Sequence, residues 1–154
     1  MNFEFNIVEL SSKNLIGMKV NSTMATAFKD CPDLWNRFGT RIGELKVIVP
    51  GGGYGISVMK GAEGDFTYWA AVEVPDDITP PAGMERFSLT GGAYVRTSAP
   101  NLTQLGDAFT AMYEQWPASQ NEYDIDMIAP CFELYRPGWT PENPLDVFAP
   151  LKKK

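Results

Sequence analysis

Only two stretches of this sequence carry apolar residues at helical spacing, and that scarcity limits what the chain can become. The first opens at Asp30-Cys31-Pro32 and repeats through Leu34, Trp35, Phe38, Ile42 and Leu45. Pro32 suits the first position of a helix, where its missing N–H is no loss. The second opens at Asn101, which Gln104 completes as a capping-box pattern. It repeats through Leu102, Leu105, Phe109, Met112, Tyr113 and Trp116 before Pro117 stops it. The other apolar segments are short or alternate with polar residues, as strands do. They cover residues 3–10, 15–20, 56–60, 66–74, 85–98, 123–135 and 145–149, with a Gly61-Ala62-Glu63-Gly64 turn joining the third to the fourth. Gly91-Gly92 marks a turn or bulge, and residues 75–83 form a proline-rich connector around Pro80-Pro81. The order strands, helix, strands thus occurs twice. It predicts an α+β fold of duplicated β-α-β-β units, with two helices packed on antiparallel sheet. One domain spans residues 1–154, with halves at about 1–78 and 83–151 that share element order but no residue-level identity.

Composition removes whole classes of chemistry. Histidine is absent, so Ser-His-Asp and Cys-His triads, histidine-based zinc sites and histidine general bases are out of reach. The two cysteines, Cys31 and Cys131, are far apart and form no CxxC pair, which points to reduced thiols and to no metal or other cofactor. The formal charge is −6, and the one basic run, Lys152-Lys153-Lys154, reads as a solvated tail. Nucleic-acid binding, which needs clustered Lys and Arg, is not expected. No apolar run approaches the about 18 residues of a membrane span, and Met1-Asn2-Phe3-Glu4-Phe5 lacks the basic start of a signal peptide. The cytoplasm is the expected location. Gly51-Gly52-Gly53-Tyr54-Gly55 lacks the endings of phosphate-binding loops and reads as a flexible turn.

One residue breaks the pattern. In residues 123–135 the odd positions are Tyr123, Ile125, Met127, Ala129, Cys131, Glu133 and Tyr135, an apolar face interrupted by a single carboxylate. A lone carboxylate there is costly unless it is paired or hydrogen-bonded. Pro130 could force a bulge that returns Glu133 to solvent, or Glu133 could sit near the strand end. It could also pair with Arg96, Arg86 or Arg136 as a structural bridge. The functional alternative is a carboxylate held under-solvated so that an incoming cation completes its pairing. Tyr68, Trp69, Trp35, Tyr54 and Trp139 supply candidate rings for that cation. Tyr68 and Trp69 are neighbours on one strand and point to opposite faces, so at most one of them lines a given pocket.

The segment Pro130-Cys131-Phe132-Glu133-Leu134-Tyr135 resembles the glutamate-tyrosine strand of the GyrI-like domain, the effector-binding domain of AraC- and MerR-type multidrug regulators. Leu34-Trp35-Asn36-Arg37-Phe38 is similar to that family's first helix. Asp65-Phe66-Thr67-Tyr68, leading into Val72-Glu73-Val74, and the closing Leu145-Asp146-Val147-Phe148-Ala149-Pro150-Leu151 are similar to its strands. Trp69 departs from it, since many relatives carry a small acidic or polar residue there. The resemblance implies a tandem SHS2-like fold with a central cleft, in which Glu133 and aromatic rings contact lipophilic cationic drugs and dyes. With no room ahead of it for a helix-turn-helix domain, the chain resembles the stand-alone members, one of which is carried on a mobile integron cassette. Binding lipophilic cations, to sequester or sense them, is therefore the expected function. A homodimer or a DNA-binding protein partner stays open. Two alternatives follow from the same resemblance: hydrolysis of cyclopropane-bearing alkylating natural products, and a gyrase-inhibitor-like interaction with another protein.

Overall fold

The computed structural model describes residues 3–60 and 64–154; Met1-Asn2 and the Gly61-Ala62-Glu63 part of the expected turn lie outside them. The elements in chain order are β1 (Asn6–Leu10), β2 (Lys13–Thr23), α1 (Ala27–Gly39), β3 (Gly53–Met59) and β4 (Asp65–Glu73). There follow β5 (Glu85–Leu89), β6 (Gly92–Ala99), α2 (Leu105–Glu114), β7 (Tyr123–Ile125), β8 (Cys131–Tyr135) and β9 (Leu145–Lys153). The strands form one strongly curled antiparallel sheet, in the order β1-β6-β9-β8-β3-β4-β2-β5, with β7 added along β9. This order is symmetric about the β8–β3 junction. β3, β4, β2 and β5 run outward on one side, and β8, β9, β6 and β1 on the other. The edge strands are exchanged: β1 pairs with β6, and β5 pairs with β2.

Both helices pack on the same face of the curl, giving the α+β architecture expected from the element order. Under α1, Leu34 and Phe38 bury against Ile16, Ala70 and Val72. Under α2, Ala108, Met112 and Trp116 bury against Val95, Val147 and Ala149. The opposite face, inside the curl, is filled by Leu15, Ile56, Trp69, Phe132 and Phe148. Each fully buried Leu, Ile or Phe side chain contributes about 1.5–3 kcal/mol, so these layers fix which face each strand presents.

Three local expectations need correction. First, α1 begins at Ala27 and Pro32 lies inside it rather than at its first position. The bond Pro32 forfeits is the one to the carbonyl of Phe28, on an exposed flank where water can take the acceptor. Ile42 opens a separate 3-10 turn, Ile42–Glu44, beyond the end of α1, and Leu45 is the extended residue that follows it. Second, residues 123–135 are two strands, not one; Met127 and Ile128 between β7 and β8 are exposed. Third, Lys152 and Lys153 are strand residues, paired with Asp124 and Tyr123 of β7, and not a free tail. The start of α2 follows the expectation more closely: Asn101 Oδ1 accepts the backbone N–H of Gln104 at 3.2 Å. A 3-10 turn, Leu102–Gln104, leads from there into the helix.

Candidate functional site

Antiparallel register runs a row of side chains across the sheet beneath the helices. Met18, Ala70, Gly55, Glu133, Val147 and Thr97 stand side by side on β2, β4, β3, β8, β9 and β6. Glu133 is therefore near the middle of the row, beside the junction of the two arms of the sheet, and it is only 4% exposed. Pro130 does not return it to solvent, because β8 starts one residue later and Cys131, Glu133 and Tyr135 all keep the helix face. The strand-end reading fails too: β8 is bonded to β3 on one side and to β9 on the other.

None of the three arginines named as partners reaches Glu133. Arg96 and Arg136 both go to Asp146, at 2.8 Å each. Arg86 binds Asn14 and the carbonyl of Ile78. The carboxylate instead accepts from two phenols, and both act on one oxygen. Tyr68 donates to Oε1 at 2.6 Å and Tyr135 donates to the same atom at 3.0 Å. Among the described residues no side-chain donor is bonded to Oε2. Trp35 extends the chain, its indole N–H donating to the Tyr68 hydroxyl at 2.9 Å. A relay thus runs from α1 through β4 to the carboxylate on β8.

The rings that border this relay form a wall. Trp35 meets Tyr135 edge to face at 5.4 Å, and Tyr135 meets Trp139 in the same way at 4.7 Å. Trp139 is held by its own indole bond to the carbonyl of Asn143, after a turn at Gly138. Two glycines make room. A Cβ on Gly53 would stand 2.8 Å from the Trp35 ring, and one on Gly55 would stand 2.2 Å from both Glu133 Oε1 and the Tyr68 oxygen. The glycine-rich segment is thus only partly the turn expected of it. Gly51, with φ of 83°, makes the turn, while Gly53 and Gly55 are strand residues that leave space above them.

Electrostatics follow from this enclosure. Burial pushes the Glu133 carboxyl up to about 7, against the two phenol bonds and a contact with its own backbone N–H, which lower it. Burial, then the neighbouring carboxylate, holds the hydroxyls of Tyr68 and Tyr135 well above their ordinary range. Burial also raises Cys31 to about 12 and Cys131 to about 11, so both free thiols stay protonated and neither is a ready nucleophile. Among the described residues there is no cluster of three or more His, Cys, Asp or Glu suited to a metal ion.

The structure divides the candidate rings between two faces. Tyr68 and Trp35 lie on the Glu133 side, and Trp139 joins them through Tyr135. Trp69 and Tyr54 lie on the opposite face, where Trp69 packs on Phe87 at 5.0 Å and Tyr54 on Phe132 at 5.6 Å. Tyr54 lines two cavities. One of about 70 Å³ also touches Phe132 and Phe148 on that face, while one of about 280 Å³ opens across both faces, touching Glu73 and Arg136 and also Gly53 and Tyr135 of the helix face. Neither is lined by Glu133. The sequence reading left Tyr135 out of its candidates, although its position two residues from Glu133 places both on one face of the strand. Gly55 was missed as well; a glycine in a strand interior is the available signal for a close approach.

Several solved structures share this fold. SAV2435 bound to tetraphenylphosphonium aligns with a TM-score of 0.76 at 22% identity, over 97% of this chain and 94% of that one. An integron cassette protein from the mobile metagenome of Vibrio cholerae aligns with a TM-score of 0.68 at 19% identity, over 97% of each chain. EcmrR in a complex with DNA aligns with a TM-score of 0.74 at 12% identity, over 99% of this chain but 58% of that one. At these identities the likeness establishes the fold. Among curated proteins none matches the chain. The family assignment comes from residues 6–150, which match the model of the integron-associated effector binding proteins; the chain belongs to that family.

Proposed function

We propose that this protein binds lipophilic organic cations, Glu133 supplying the charge and Trp35, Tyr68, Tyr135 and Trp139 the rings. The observation that carries the reading is a buried carboxylate that has no cationic partner among the described residues, whereas buried Asp146 has two. A buried charge without a counter-ion is unfavourable, and an organic cation relieves that cost where water cannot reach. Each ring in contact with the ligand adds about 0.5–2 kcal/mol. The tetraphenylphosphonium on a neighbour of the same fold supports the ligand class. Because Glu133 is enclosed, a ligand reaches it only after the rings of Trp35 and Tyr135 turn aside. Sequestration or sensing of such cations is the role that fits a binding module with no activated nucleophile.

The reading is tested by titrating the protein into rhodamine 6G and following fluorescence anisotropy for wild type and Glu133→Gln. Gln keeps the shape and removes the charge. A charged contact contributes about 1.5–3 kcal/mol, so binding should weaken about 10- to 100-fold. Equal affinities would remove Glu133 from the account.

A further inference from the structure

Among the described residues, every side chain found against Glu133 is neutral. From α1 come Cys31 and Trp35, from β4 Tyr68, and from β8 itself Cys131 and Tyr135. β3 contributes Gly55 and β9 contributes Val147, neither of which can titrate. Tyr113 of α2 lies behind Cys131. The next charges outward are Asp30, beside Cys31 and with Lys29 next to it, and Asp126, beside Tyr113. The guanidiniums of Arg96 and Arg136 are committed to Asp146, and those of Arg37 and Arg41 on the helix side to Asp33 and Glu44.

A site this dry tolerates net charge poorly, whether or not it is occupied. We propose that cation uptake at Glu133 is an exchange against a proton. The ligand-free site holds a carboxylic acid, and the arriving cation takes the place of its hydrogen. The inference rests on the binding reading given above and adds how that site is regulated. Oε1 is taken by the two phenols, so the proton resides on Oε2, the oxygen that bonds no side-chain donor among the described residues. On binding, the O–H bond of Oε2 breaks, its electron pair stays on the carboxylate and the proton leaves to water. The site is neutral before and after: an acid in one state, a carboxylate–cation pair in the other. The carboxyl's raised pKa, about 7, puts this exchange within the range where small changes of pH shift it. Affinity then rises with pH while Glu133 is being deprotonated and levels off once it is ionised.

The experiment is isothermal titration calorimetry of the whole chain with tetraphenylphosphonium, which has no titratable group. It is run in two buffers of different ionisation enthalpy, so that the difference in heat counts protons. Linkage predicts about one proton released per cation near pH 6 and almost none near pH 9, with affinity changing up to about tenfold per pH unit below pH 7. Glu133→Gln should release none and bind weakly at every pH. The neutral probe triphenylphosphine oxide should release none from wild type. Tight binding with no proton release and a flat pH profile would overturn the exchange while leaving Glu133 as an anchor. Unchanged proton release in Glu133→Gln would overturn it too, by placing the proton elsewhere. No binding at any pH would overturn both the exchange and the reading beneath it.

Discussion

Glu133 and Asp146 are both buried, 4% and 5% exposed, and stand one register step apart on adjacent strands: Glu133 opposite Val147, Leu134 opposite Asp146. They point to opposite faces of the sheet and meet opposite surroundings. Asp146 lies inside the curl with a guanidinium on each oxygen, hydrogen-bonded to Arg96 and ion-paired without hydrogen-bond alignment to Arg136. Glu133 lies under the helices with two phenols and, among the described residues, no cation. The difference separates a structural carboxylate from a poised one. A paired charge ties strands β6, β8 and β9 together, whereas an unpaired one leaves binding energy for a ligand.

Removing each carboxylate should therefore have opposite consequences for stability, and the largest effect belongs to Asp146. Asp146→Ala leaves two guanidiniums facing each other beside an apolar layer. Breaking a buried pair costs about 3–5 kcal/mol; because Arg96 and Arg136 are partly exposed, about 3 kcal/mol is expected by urea denaturation. A neutral outcome would erase the contrast.

Next comes Glu133→Gln without ligand, where the sign depends on pH. The folded-state pKa, about 7, lies above the ordinary 4.5, so the native state binds the proton more tightly than the unfolded chain. That contribution is fully present below 4.5 and is lost as pH rises through 7. Gln does not titrate. The stability difference should then shift towards the variant by about 2–3 kcal/mol between about pH 4.5 and pH 8.5. A pH-independent difference would mean that Glu133 is not a strained charge.

Gly55→Ala should cost less, about 2 kcal/mol, because the Glu133 and Tyr68 side chains can partly yield to the added methyl. Its effect on the site should be greater than on the fold, since the methyl lands on Oε1 and the Tyr68 hydroxyl. Rhodamine 6G anisotropy should show weakened binding in a protein that still unfolds cooperatively. Unchanged affinity would mean that the relay is dispensable. Tyr68→Phe tests the same relay more gently: it removes one donor from Oε1, and a fall in affinity of a few-fold, about 1 kcal/mol, is expected in that assay.

How much of this was legible in the sequence depends on the range of the signal. Period-two alternation placed Glu133 on an apolar face even though residues 123–135 are not one strand, because Cys131 and Tyr135 alone carry the parity. The same alternation separated Tyr68 from Trp69. What it could not supply was register between strands, and register decides that Tyr54 pairs with Leu134 while Gly55 pairs with Glu133. Tyr54, a candidate ring by composition, thus falls inside the curl. The competition of Asp146 for Arg96 and Arg136 was equally hidden. Those residues meet across strands separated by up to 50 positions in the chain. Trp139 shows a third limit, since a turn at Gly138 and an indole bond to Asn143, not periodicity, bring it to Tyr135.

The central claim is that the cation binds on the helix face against Glu133, not in the larger cavity that Tyr54, Glu73 and Arg136 line on the far side of Tyr135. A crystal structure with tetraphenylarsonium answers this directly, because anomalous scattering locates the arsenic without reference to the protein. The account predicts arsenic on the helix side of β8, with aromatic rings around it and Glu133 as the nearest carboxylate. Arsenic beside Tyr54 and Glu73, with Glu133 still enclosed by Tyr68 and Tyr135, would contradict it.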